Sequence, residues 1–185
     1  MSAPARVAAR ESGAETARAP SGAPPQRTRT FSWHDPAATA AAGLKLSGLD
    51  YIRAIAAGTL PAPPIAELLG FQIVEADEGR AVFAIEPAEW MYNPIGMVHG
   101  GVAATLLDSC MGCAVHTSLP PGAGYTTTDL QVRYIRAMGE TTGRVLAEGR
   151  LVHRGKRTAT ADGRVFAESD EKLIAHGSTG CVIFA

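Results

Sequence analysis

Between Met97 and Thr117 the chain reads MVHGGVAATLLDSCMGCAVHT, and Asp108 is its one residue fully charged at neutral pH. An unpaired carboxylate taken out of water costs several kcal/mol unless it is paired or neutralised. Two roles answer that cost: a structural one, in which Asp108 caps a chain end or meets Arg133 or Arg136, and an acid–base one. The same stretch opens on His99-Gly100-Gly101. The first turn of a helix has free N–H groups and the positive end of the macrodipole. Glycines there let a bound molecule approach the backbone, so a carbonyl oxygen gaining negative charge would be stabilised at Gly100 and Gly101. The plainer alternative is a tight loop-to-helix bend. Asn93, in the loop before His99, offers an amide donor and an acceptor, and it is also a natural Asn-Pro turn starter.

Spacing constrains how these groups work together. Gly100 and Asp108 stand eight residues apart on one predicted helix. That is ~12 Å along the axis and about 80° apart in direction. One chain cannot easily bring both to one carbonyl. Two antiparallel copies of the helix would, so a shared reaction predicts a symmetric dimer with two sites at its interface.

The elements that must position these groups follow from pattern. Gly48–Gly58 has apolar residues at helical spacing, Pro61, Pro63 and Pro64 make a rigid connector, and Ile65–Leu69 makes about one helical turn. Phe71–Ala76 and Arg80–Glu86 are strand-like and joined by a Gly79 hairpin turn. The long helix ends near Pro120-Pro121. Four strand-like runs follow: Tyr125–Ile135, Gly143–Arg154, Arg157–Glu168 and Lys172–Phe184. Strand, strand, helix, four strands predicts an α+β fold with an antiparallel sheet. The helix is apolar on every side, so the sheet must curl around it.

The run NPIGMVHGG followed by VAATLLD resembles the hotdog-fold acyl-CoA thioesterases, in the phenylacetate-pathway (PaaI-like) branch of the 4-hydroxybenzoyl-CoA thioesterase superfamily. The likeness extends from about Pro64 to Phe184, through YTTTDLQVRYIRAM and EGRLVHRGKRTATADGRVFAE. It implies a curved antiparallel sheet around a central helix and dimers, or dimers of dimers, with the active site at the subunit interface. It implies hydrolysis of an acyl-CoA to free acid and CoA. Asp108 would be general base or nucleophile, Gly100 N–H would polarise the carbonyl, and Asn93 would hold that carbonyl or the water. His99 would orient the loop or the thioester, and Thr127 would position the water with Asp108. Gly101, Arg136, Arg154, Lys156 and Arg157 would bind substrate, the basic residues meeting the CoA phosphates. A non-catalytic acyl-CoA binder and an enoyl-CoA hydratase or dehydratase of the same fold are the alternatives.

The remaining features narrow the reading. The chain has 185 residues and a net charge of −1, which calls for neither nucleic acid nor an anionic membrane as partner. Residues 1–46 are rich in Ala, Pro and Arg and read as a disordered tail without a signal or transit pattern. Residues 47–63 read as a short helix and connector, and 64–185 as the catalytic domain. Three cysteines, Cys110, Cys113 and Cys181, fit a reducing, cytoplasmic compartment. CMGC lacks a second ligand pair at metal spacing, so no metal and no cofactor is expected.

Overall fold

Helix α4, Gly100–His116, forms with His99 as its N-cap: the His99 Nδ1 accepts from Gly101 N–H at 2.8 Å. At the far end Thr117 and Ser118 turn their hydroxyls back onto the carbonyls of Ala114 and Val115, and Pro120-Pro121 prevents continuation. In this computed structural model residues 24–184 are described. Residues 31–184 belong to one unit, and residues 24–30 have no helix or strand.

Six strands run β1 (Phe71–Asp77), β2 (Arg80–Ile85), β3 (Gly124–Tyr134), β4 (Val145–Arg154), β5 (Thr158–Ala167) and β6 (Leu173–Phe184). They form one sheet in the order β1-β2-β4-β5-β6-β3, every pair antiparallel. The sheet curls around α4, which touches β2, β3, β4, β5 and β6. Leu106, Leu107, Cys110, Met111 and Val115 of the helix are fully buried against Ile85, Val145 and Val165. Small residues set the depth of that seat. A Cβ on Gly149 of β4 would fall 2.2 Å from the Cys110 carbonyl oxygen, so only glycine lets strand and helix backbones meet there.

Glu148, next to Gly149, points to the opposite face of the sheet. It is 4 % exposed and takes Arg80 at 2.6 Å, Arg150 at 2.7 Å and Arg164 at 2.9 Å. Burial by itself would raise this carboxyl. The hydrogen bonds from Arg80 and Arg164 and the charge of Arg150 outweigh that and hold it at about 2.

Three helices precede the sheet: α1 (Pro36–Gly43), α2 (Gly48–Ala56) and α3 (Pro64–Leu69). The first corrects the expectation of a disordered tail through residue 46. Asp35 caps α1 by accepting from Ala37 N–H, and Pro36 at the first turn presets its backbone. Its five alanines carry no amphipathic stripe, which is why the sequence pattern passed it over. Residues 1–23 of that expected tail lie outside the described residues. Helix α2 docks at fixed points. Gly48 N–H donates to Leu119 O at 2.9 Å, and Arg53 donates to Ala76 O at 3.0 Å and pairs with Asp77 at 3.1 Å. A Cβ on Gly48 would lie 1.7 Å from the His116 carbonyl oxygen. Among the described residues no helix is long and apolar enough to cross a membrane.

Candidate active site

Asp108 is partly buried on α4, and its Oδ1 accepts a hydrogen bond from Thr127 Oγ1 of β3 at 2.8 Å. Among the described residues it has no ion pair, so the structural alternative with Arg133 or Arg136 does not form. Asp108 and Ser109 line a cavity of about 890 Å³.

The helix start faces a second, smaller cavity. Asn93, His99, Gly100, Tyr134 and Arg136 line this space of about 330 Å³. Asn93 Oδ1 accepts from Ile95 N–H and Met97 N–H at 3.1 and 3.2 Å, so its oxygen builds the turn and its amide Nδ2 remains the group able to donate. His99 spends its Nδ1 on Gly101 N–H, which leaves Gly101 without a free donor for a ligand. Gly100 N–H, by contrast, has no acceptor among the described residues. The Tyr134 hydroxyl donates to Gly100 O at 3.1 Å, and its ring lies 3.2 Å from where a Gly100 Cβ would stand.

The structure therefore brings Asp108 to Thr127, and Asn93 and His99 to Gly100, but it leaves these as two groups lining separate cavities. The basic residues are separated too. Arg136 lies at the helix start, its Nη1 donating to Leu173 O at 2.8 Å. Arg154 lies past the helix end, donating to Ser118 O at 2.9 Å, with exposed Lys156 and Arg157 in the adjoining β4–β5 turn.

Sequence reading missed four aromatic groups. Tyr134 closes over Gly100, as described. Tyr51 of α2, His116 of α4 and Tyr125 of β3 form a ring cluster in the larger cavity, with centroids 5.4 and 5.5 Å apart. His116 lies eight residues past Asp108, about 80° round the helix, and no charge or motif sets it apart in the sequence. Burial lowers His116, raises Tyr51 and Tyr125, and pushes the Cys113 thiol up to about 12.

A curved antiparallel sheet closed around one central helix, with an acid midway along it and glycines at its start, is the architecture of a hotdog-fold thioesterase. The chain belongs to the thioesterase superfamily, whose family model matches residues 95–174. A Halobacterium salinarum protein described as an esterase is 32% identical over 111 residues, 57% of this chain and 72% of that protein. The 1,4-dihydroxy-2-naphthoyl-CoA hydrolase of Listeria monocytogenes is 26% identical over 110 residues, 60% of this chain and 87% of that one. Among solved structures, a Ralstonia eutropha protein described as a thioesterase related to phenylacetic acid degradation superposes with a TM-score of 0.64. It is 27% identical, and the match covers 71% of this chain and 98% of that one. The protein is thus an enzyme of the thioesterase class.

Proposed function

We propose that the protein hydrolyses an acyl-CoA to the free acid and CoA at sites shared between two copies of the chain. The observation that carries this is Asp108 itself: a carboxylate with no ion pair among the described residues, held by one hydroxyl, at the wall of a large cavity in an otherwise uncharged stretch of helix. Thr127 fixes its rotamer and leaves Oδ2 to take a proton from water. The water oxygen attacks the thioester carbon, the proton passes to Asp108, and the oxyanion is met by Gly100 N–H and the Asn93 amide. The C–S bond then breaks and the CoA thiolate leaves, to be protonated in solution. Attack by Asp108 itself through an anhydride uses the same groups.

The edge strand supports the shared site. Among the described residues β3 has one neighbour, β6, which leaves its other edge for pairing with β3 of a second copy. Thr127 and Tyr134 are seven residues apart, which in a regular strand puts them on opposite faces. The bulge between Thr127 and Asp129 shifts that parity, so both reach α4, one at Asp108 and the other at Gly100. A twofold axis between Leu130 and Gln131 sets Thr127 of one copy opposite Tyr134 of the other, and so Asp108 of one beside Gly100 of the other. On that arrangement Arg154, Lys156 and Arg157 of the second copy extend beyond the helix start toward the side of Arg136, where CoA phosphates need cations.

The test is release of free thiol from acyl-CoAs by purified protein. Asp108→Asn is expected to lower kcat about 10²–10⁴-fold. Thr127→Val is expected to lower kcat about tenfold at unchanged Tm, with Thr127→Ser restoring it. Wild-type rates from Asp108→Asn protein would refute the reading.

A further inference from the structure

The larger cavity is walled on one side by elements that precede the sheet. Tyr51, Ile55 and Ala56 of α2, Leu60 and Pro61 of the connector, and Ile65 of α3 face α4 and β1 across it. Helix α2 is pinned at Gly48 and Arg53, yet about 890 Å³ stays open beneath it. The cleft is partly open to solvent, and its volume lies within the roughly 300–1,000 Å³ that small-molecule sites span. The Ralstonia structure is matched over 98% of its length by 71% of this chain, so part of the chain lies outside what the two share.

The lining indicates what fits. It carries two acids, Asp108 and exposed Glu67, and no Lys or Arg. The phosphates of a CoA have no place there, whereas Arg136 stands at the other cavity. Asp108, Ser109, Cys113 and His116 make a stripe along α4 from the carboxylate to the aromatic cluster. That floor runs ~12 Å. With C–C bonds of about 1.5 Å in a zigzag, it spans about ten carbons.

Resting on the reading of Asp108 as the hydrolytic carboxylate, we propose that α2, the connector and α3 form the acyl pocket, and that the substrate's acyl group is large and apolar. Both a linear chain of about eight to twelve carbons and a fused aromatic acyl group meet that description.

The experiment uses the full-length protein, saturated acyl-CoAs from butyryl to tetradecanoyl, and benzoyl-, phenylacetyl- and naphthoyl-CoA. In the linear series kcat/KM should rise about fourfold per methylene to about ten carbons. An aromatic optimum at naphthoyl assigns the pocket to the ring instead. Ala56→Trp, at an exposed position of α2, should lower kcat/KM for the best large substrate at least tenfold more than for butyryl-CoA, and Leu60→Trp should do the same. Best turnover of butyryl-CoA, or a size profile untouched by both tryptophans, overturns the proposal while leaving thioester hydrolysis intact. If no thioester is hydrolysed, the functional reading fails and the pocket is judged by binding of a fluorescent decanoyl probe. Saturable binding weakened by Ala56→Trp supports the pocket, and its absence overturns it.

Discussion

The proposed shared site makes a prediction that an intrachain site forbids. Two variants each remove one half of it. Asp108→Asn takes away the proposed proton acceptor and should cost about 10²–10⁴-fold. Gly100→Pro deletes the N–H proposed to meet the carbonyl oxygen and should cost about 10²–10³-fold. The proline fits the backbone: it stands at the first helical position, and His99 before it has φ −59° and ψ 134°, the extended region a residue before proline prefers. Tyr134, whose ring packs on Gly100, is exposed and can swing aside.

Within one chain the two groups are ~12 Å apart along α4. In the paired arrangement, cross-strand neighbours lie about 5 Å apart, and Asp108 and Gly100 of different copies converge. Co-expressing the two inactive variants with different tags then yields heterodimers in which one site carries both defects and the other carries neither. Random pairing makes about half of all dimers mixed, so the mixture should recover about a quarter of wild-type activity. The tandem-purified heterodimer should reach about half. Thiol release per chain is the assay. Heterodimer activity no higher than that of the parents would refute the shared site, because an intrachain site stays broken in every combination.

Two further predictions concern the frame. Glu148 should couple stability to pH: its carboxyl sits at about 2 in the fold against an ordinary 4.5. A lowered value stabilises above the unfolded pKa and is lost as pH falls through the folded one, so this contribution is complete above about pH 4.5 and fades toward pH 2. The gap corresponds to roughly 3 kcal/mol, cut toward about 1–2 by the exposure of Arg150 and Arg164. Urea midpoints should show Glu148→Gln destabilised at pH 7, with the difference from wild type shrinking as the pH approaches 2; a constant difference would contradict it. Gly48→Ala should undock α2, since its Cβ would lie 1.7 Å from His116 O. The expected loss is about 1–3 kcal/mol, with faster proteolysis between residues 44 and 62 than in wild type; unchanged cleavage there would show that the contact yields cheaply.

What the sequence made legible followed from period and spacing. The order of strands, the apolar helix and the Gly79 hairpin all announce themselves through burial patterns that recur every 2 or 3.6 residues. Asp108 stood out because a charge interrupts such a pattern. Thr127 had no such contrast among its neighbouring threonines and came only from a family likeness. Tyr134, seven residues later, was invisible for a related reason: alternation puts it on the wrong face, and the bulge that returns it leaves no mark in residue types. Helix α1 was missed because alanines lack an amphipathic stripe, although Asp35-Pro36 is a serviceable start signal. Arg136 at the start of α4 and Arg154 past its end stand apart within one chain, a separation that residue types alone do not reveal.

The two-cavity arrangement follows from a conflict that one helix cannot resolve alone. An oxyanion donor must come from the first turn, where N–H groups lack partners. A carboxylate placed in that same turn would sit beside those N–H groups and take them for itself. His99 does so at Gly101, its carbonyl takes Val102 N–H, and among the described residues Gly100 N–H has no acceptor. The acid must therefore stand farther along, and moving it eight residues carries it ~12 Å away. On the proposed reading an antiparallel second helix cancels that displacement, and pairing at the β3 edge sets its register. Thr127 and Tyr134 lie on that strand, each touching one of the two groups, so the residues that would align the copies also hold the groups being aligned. Slipping β3 by one residue against β6 would turn both side chains from α4 and dismantle both halves together.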